Sequence, residues 1–248
     1  MCVRCQHFQG LKHENLSSPK RTHSNSQLFR DLNDDDHIIR SQHQFLQDVC
    51  NDIAEGSYTF LAFKQVTTGK WEDHAIKNAG SWRETLDLLR EYSRWDYDQY
   101  FCPNSFSEER RKQLYALPTS FGWCDIDRSE PSIYEPVPSI LWETSPQSYQ
   151  GLWLWDRTHR ATDAELFSKS LAYRHGGDNS GWSATKMLRI PGSVNHKPQY
   201  NEPFVKIIKS DWSEITSRPR PLEGVRHAVA SALPTIDANP PSMTVMRF

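Results

Sequence analysis

Phe121-Gly-Trp-Cys-Asp-Ile-Asp-Arg128 is the stretch on which the reading of this chain turns. Phe121, Trp123 and Ile126 favour extended backbone, and a strand sends residues i and i+2 to the same face. The spacing therefore predicts that Asp125 and Asp127 project side by side, with no Lys or Arg between them. Two like charges so placed call for a cation, and Mg²⁺ or Mn²⁺ is the usual partner of hard oxygen ligands. Two such ions can hold both the attacking and the leaving oxygen of a phosphoryl transfer. A solvated strand end carries Asp-x-Asp just as readily, so the pair takes its meaning from what surrounds it.

The 248 residues suit one large domain or two small ones. A hydrophobic fraction of 37% is low for a chain packed along its whole length, so part of it is expected to lie outside the core. Nine Trp, nine Tyr and eleven Phe still supply bulky core material. The net charge of −2 exerts no global pull on nucleic acid, so any such site must be a local basic patch. No apolar stretch approaches the roughly 20 residues needed to span a bilayer, and no signal-type apolar region follows Met1, so no membrane association is expected. Cys2, Cys5, Cys50, Cys102 and Cys124 are odd in number and scattered, as in a reducing cytoplasm. Cys2-x-x-Cys5, with His7 and His13, is at most half a zinc site, because no second Cys pair follows at ribbon spacing.

Along the chain, residues 1–36 read as a flexible polar arm closed by Asp34-Asp35-Asp36, residues 37–215 as the folded domain, and residues 216–248 as a Pro-rich linker or tail. Periodicity predicts a helix over Ile38–Ala54, a strand over Tyr58–Phe63, a turn at Thr68-Gly69-Lys70 and a second extended segment. Two capping boxes, Ser81-x-x-Glu84 and Thr162-x-x-Glu165, open predicted helices, the second ending at Gly176-Gly177. Tyr97–Phe101 reads as a strand and Ser107–Tyr115 as a short charged helix. Ile140–Glu143 and Gly151–Trp155 read as a strand pair joined by a turn over Thr144–Gln150. Trp153 and Trp155 share a strand face, where packing in the core is favoured over stacking on bases.

Three segments after the Asp pair carry further chemistry. Glu143-Thr-Ser-Pro-Gln-Ser-Tyr-Gln150 clusters hydroxyl and amide groups, and Gly176-Gly-Asp-Asn-Ser-Gly181 adds the loop carboxylate of Asp178 directly after a helix. In Leu188-Arg-Ile-Pro-Gly-Ser-Val-Asn-His-Lys197, Arg189 and Lys197 flank a Pro-Gly turn, an arrangement suited to gripping a triphosphate. Each segment has a plainer reading, as a hairpin turn, a helix-end turn and two exposed bases.

In this order and spacing the four segments resemble the archaeo-eukaryotic primase superfamily, in particular the primase-polymerases of plasmid and phage replication proteins. Asp125-Ile-Asp127 matches the family's acidic strand, Thr144–Gln150 resembles its second motif, and Asp178 is the candidate for its late acid. Arg189-Ile-Pro-Gly-Ser-Val-Asn-His-Lys197 resembles the closing Arg-x-Pro-Gly-x-x-Asn-x-Lys stretch. The resemblance runs from about Ile38 to Asp211. The second-motif His is absent, with Tyr149 and Gln150 near its position, and a Gln supplies no positive charge. Asp178 stands before Arg189 with Ser183 and Lys186 between them.

The resemblance implies an α/β (α+β) fold, with an RNA-recognition-motif-like catalytic sheet beside a smaller N-terminal α/β unit and the Asp pair on a central strand. It implies a nucleotidyltransferase that primes or extends a strand on a template in plasmid- or phage-type DNA replication. Asp125, Asp127 and Asp178 would hold two Mg²⁺ or Mn²⁺ ions, and Ser148, Gln150, Arg189, Asn195 and Lys197 would bind the nucleotide. Its partners would be single-stranded or primed DNA, nucleoside triphosphates and a helicase domain or protein, since no Walker-type motif is present. Two other classes stay open: a replication-associated nucleic-acid-binding module with weakened catalysis, and a metal-dependent nuclease using the same carboxylates.

Overall fold

In a computed structural model, the described residues are 25–50, 55–77, 82–201 and 203–216. The Cys2/Cys5/His7/His13 cluster, Ser81 and nearly all of the Pro-rich segment lie outside them. The chain divides into two units, Met1–Asp36 and His37–Phe248. The fold is mixed α+β, with three helices and two four-stranded antiparallel sheets among the described residues.

Helix α1 spans Asn25–Cys50, so helical backbone begins within the segment expected to be a flexible arm. Its residues Gln42, Phe45, Leu46, Val49 and Cys50 recur at helical spacing and are buried. Strands β1 (Tyr58–Gln65) and β2 (Trp71–Lys77) form a hairpin whose turn contains Gly69 in left-handed backbone. Helix α2 (Arg83–Glu91) begins after Trp82 without a side-chain cap. Strand β3 (Tyr97–Phe101) pairs with β1 on the side away from β2. The predicted helix over Ser107–Tyr115 is only a 3-10 turn at Gln113–Tyr115. Phe106 instead bridges Tyr58 and Ala116, and these long-range pairings hold the segment extended.

Strand β4 (Thr119–Asp127) is followed by β5 (Ile140–Ser145) and β6 (Ser148–His159). The turn expected over Thr144–Gln150 shrinks to Pro146-Gln147, with Gln147 at φ 62°, and Ser148 to Gln150 already belong to β6. Helix α3 (Ala161–His175) starts one residue before Thr162, so the expected capping box does not form. Its Glu165 accepts from the Ala184 amide (2.7 Å) and the Gln113 side chain (2.6 Å) instead. Strands β7 (Leu188–Arg189) and β8 (Lys206–Ser210) complete the sheets, whose orders are β2-β1-β3-β7 and β4-β6-β5-β8.

One expectation changes with this topology. The acidic strand β4 is an edge strand of its sheet, not a central one. The mostly N-terminal sheet lies beside it as expected, and β7 returns from late in the chain to join it, pairing Arg189 with Tyr100 and Leu188 with Phe101. Strand alternation places Gly122, Cys124, Gly151, Trp153 and Trp155 on one face of the β4 sheet and Trp123, Asp125, Trp142, Gln150 and Leu152 on the other. The first face receives α3, with the Phe167 ring 6.1 Å from that of Trp153 and 5.4 Å from that of Trp155. Both tryptophans are buried and serve the core, leaving no ring face for a base. The second face meets α1 and the other sheet through Phe45, Phe101 and Trp142.

Candidate active site

The backbone of β4 carries Asp125 to the end of a buried run in which Trp123, Cys124 and Ile126 are at most 2% exposed. Beyond Asp125 the ladder slips: Asp125 lies opposite Gln150 and Asp127 opposite Tyr149, so two steps on β4 answer one on β6. Asp127 has φ 52° and is exposed. The i, i+2 rule holds for a regular ladder, and the register shift interrupts that ladder between the two acids. Ile126, between the two acids at the slip, is fully buried.

The partner of Asp125 comes from the loop after α3. Gly176, with φ 78°, ends the helix, and the Gly176 and Gly177 amides both bond to Ala172 O at 3.0 Å. The next amide, Asp178 N–H, donates to Asp125 O at 2.8 Å and fastens the loop to the strand. Gly177 makes this approach possible. A Cβ there would lie 2.9 Å from both Asp125 O and the Tyr134 hydroxyl. Gly177→Ala is accordingly expected to lower unfolding free energy by about 1–3 kcal/mol, the usual cost of overpacking, as read from urea unfolding. Unchanged stability would mean that the loop does not need this contact.

Asp178 lies over the same point as Asp125. Its Oδ1 accepts from the Ser180 amide (2.8 Å) and hydroxyl (2.7 Å). Lys186 Nζ sits 2.8 Å from Asp125 Oδ2 and 3.3 Å from Asp178 Oδ2. Burial raises the Asp178 carboxyl, but the Ser180 donors and the Lys186 ammonium outweigh it, and its pKa falls below the usual carboxylate value. Burial likewise lowers the Lys186 pKa, and the two acids more than reverse that, so the ammonium is held charged. The structure thus brings Asp125 and Asp178 together around one cation. Asp127 stays outside this ion-pair group, and among the described residues no three His, Cys, Asp or Glu side chains gather as a metal site.

The remaining candidates fall into two groups. Gln150, Arg189 and Asn195 are buried and braced by protein. Gln150 Oε1 accepts from Trp142 Nε1 (3.1 Å) and from the Arg189 amide (2.9 Å), joining the two sheets. Asn195 Nδ2 donates to Thr144 O at 2.8 Å, tying the Pro-Gly loop to β5. Arg189 lies over the Tyr100 ring at 4.8 Å and donates from Nη1 to Asp98 Oδ1 at 2.7 Å, its side chain 5% exposed. Asp98 also accepts from the His196 amide (3.1 Å) and pairs with His196 Nδ1 (3.2 Å). Burial pushes the Asp98 carboxyl up, yet Arg189 and then His196 hold its net pKa below the usual value. The Arg189 guanidinium is therefore engaged by protein instead of standing free for phosphate.

Ser148 and Lys197 stand apart from this brace. Ser148 Oγ is buried and faces the Tyr200 phenol, and Lys197 is exposed. Beside them Ser145 and exposed Arg128 face the Tyr200 phenol and hold its pKa below the ordinary value. The turn that carries Arg189 and Lys197 needs Gly192, at φ 87°, where a Cβ would also press on Ile38 and Gln42 of α1 at 3.1–3.2 Å.

Sequence reasoning missed Asp98, Lys186 and Tyr200. A Pro-Gly turn pairing its Arg with a carboxylate on a distant strand leaves no local signal. Lys186 was legible only as a residue lying between two candidate motifs.

The RepB DNA-primase N-terminal domain, as a family model, matches residues 129–225, starting just after the Asp pair and including Asp178, Arg189 and Lys197. The crystal structure of primase RepB′ superposes with a TM-score of 0.55 at 18% identity, covering 77% of this chain and 64% of that one. The chain therefore spans slightly less than two thirds of that protein. The catalytic domain of RepB′ in complex with initiator DNA gives 0.54 at 18% identity, with 77% and 96% covered. The AEP domain of the cyanophage S-2L primase-polymerase gives 0.56 at 10% identity, with 73% and 94% covered. No curated protein matches significantly. The chain thus shares the fold of these primase and primase-polymerase structures, and its residues 129–225 match the RepB DNA-primase N-terminal domain. No helix among the described residues is long and apolar enough to cross a membrane.

Proposed function

We propose that the chain is a template-directed nucleotidyltransferase that primes or extends DNA in plasmid- or phage-type replication. The observation that carries this reading is the convergence of the Asp125 and Asp178 carboxylates on a single cationic point within a primase fold.

The donor set suits a divalent metal. Carboxylate oxygens are the hard ligands Mg²⁺ and Mn²⁺ prefer, and the two Oδ2 atoms already share one cation at 2.8 and 3.3 Å. Asp125 and Asp178 would hold metal, and Asp127, which stands outside their ion-pair group, would have to turn toward them to supply a third carboxylate. When bound, two such ions lower the barrier to in-line displacement by stabilising the attacking and leaving oxygens. Arg128 and Lys197, both exposed, would meet the triphosphate, and the Ser148 hydroxyl, which faces Tyr200, would donate to it once that phenol moves aside. Gln150, Arg189 and Asn195 would act behind them, holding β6, β7 and the Pro-Gly loop in register.

Single-stranded or primed DNA and nucleoside triphosphates are the substrates this reading requires, with a helicase as partner on duplex DNA. The RepB′ catalytic domain was crystallised with initiator DNA, and we extend DNA binding to this chain by analogy. A primer-extension assay with labelled nucleotides, with and without Mn²⁺, is the test. Metal-dependent lengthening of the strand is expected. Shortening would make the protein a nuclease, and a mobility shift without chemistry would make it a binding module.

A further inference from the structure

The metal point between Asp125 and Asp178 is occupied by the chain's own ammonium group. Lys186 Nζ contacts Oδ2 of both acids, and all three side chains are only 20–33% exposed. Its base is fixed from several sides. The Lys186 amide donates to Ser183 O (2.9 Å), the Ala184 amide to Glu165 (2.7 Å), and Arg111 Nη1 to Thr185 O (2.6 Å). Gly181 covers the trio, since a Cβ there would stand 3.1 Å from both Asp125 Cβ and Lys186 Nζ and 3.3 Å from Asp178 Oδ2. The stem has four methylenes and rotates about its own bonds, so only the charged end needs to move.

We propose that Lys186 is a tethered counter-ion that competes with the divalent metal for Asp125 and Asp178. An ammonium and a divalent cation repel each other and cannot share the same two oxygens, so metal enters only as Nζ swings away. The lysine thereby keeps the acids paired when no metal is bound and weakens the metal's net affinity. This inference rests on the reading of the two acids as metal ligands.

The test is Mn²⁺ binding followed by electron paramagnetic resonance, without nucleotide or DNA. Lys186→Met should bind Mn²⁺ about tenfold more tightly than wild type, a coupling of ordinary size between mutually exclusive ligands. Lys186→Arg, which keeps the charge, should stay near the wild-type value. Equal or weaker binding in Lys186→Met overturns the proposal. Asp125→Asn separates the two readings. If it abolishes Mn²⁺ binding while Lys186→Met leaves it unchanged, the metal site stands and the competition does not. If it binds Mn²⁺ like wild type, both fall. A second measurement needs no variant: in the wild-type protein, reductive methylation of Lys186, read by mass spectrometry, should be slow without metal and faster with Mn²⁺. An unchanged rate would count against displacement of the ammonium.

Discussion

Asp125→Ala combined with Asp127→Ala is expected to reduce nucleotide incorporation by about 10³-fold or more, the scale on which removing transition-state charge stabilisation acts. Primer extension in Mn²⁺ measures it. Wild-type incorporation in the double variant would end the catalytic assignment of β4. The expected effect on stability is small. Read from the sequence, the two carboxylates repel each other, and their removal leaves the melting temperature unchanged or raises it. In the structure Asp125 is already balanced by Lys186 at 2.8 Å, and both side chains are partly exposed. Asp125→Ala leaves Lys186 its second partner, Asp178 at 3.3 Å, so the ammonium keeps a counter-charge and the cost is expected to be about 1 kcal/mol. The melting temperature without metal should therefore be nearly unchanged, and Mn²⁺ should no longer raise it, because ligand stabilisation requires a site in the folded state.

Arg189→Ala is expected to act on the fold. Its guanidinium is buried against Asp98 and Tyr100, and breaking a buried pair from one side leaves an uncompensated charge, at a cost of about 3–5 kcal/mol. Asp98→Ala should cost a similar amount, and the double variant should recover part of it, as a urea-unfolding double-mutant cycle would reveal. A direct phosphate grip predicts a different result: nucleotide affinity falling by about 1.5–3 kcal/mol with stability almost intact. Nucleotide titration beside the unfolding curves separates the accounts. The pH dependence has a defined sign. The Asp98 pKa is depressed in the folded state, so the pair's contribution is present above the unfolded carboxylate value and lost as pH falls through the depressed one. That acid-side loss should be missing from the double variant.

The acids and the brace were not equally visible in the sequence. Strand propensity in Phe121–Ile126 and the helix-ending Gly176-Gly177 are local properties of the backbone, and they set β4, the end of α3 and the loop bearing Asp178. The order of the acidic strand, the late acid and the Arg-Pro-Gly stretch carried the family resemblance, and the fold agrees with it. Pairing between distant segments was not visible. Nothing near Arg189 announces Asp98, because the contact exists only once β7 has crossed to join β3. Nothing near Asp125 announces Lys186, which reaches it only after the Asp178 amide and Gly177 have drawn the loop onto the strand. The slip at Ile126 is a break in the ladder that alternation alone does not reveal. The sequence by itself therefore determined which residues carry charge and most of the segments that are extended or helical, but not Ser107–Tyr115, which long-range bridges hold extended. Tertiary structure decided which charges meet, since ion pairing depends on distances of a few ångströms that only the packed sheets establish.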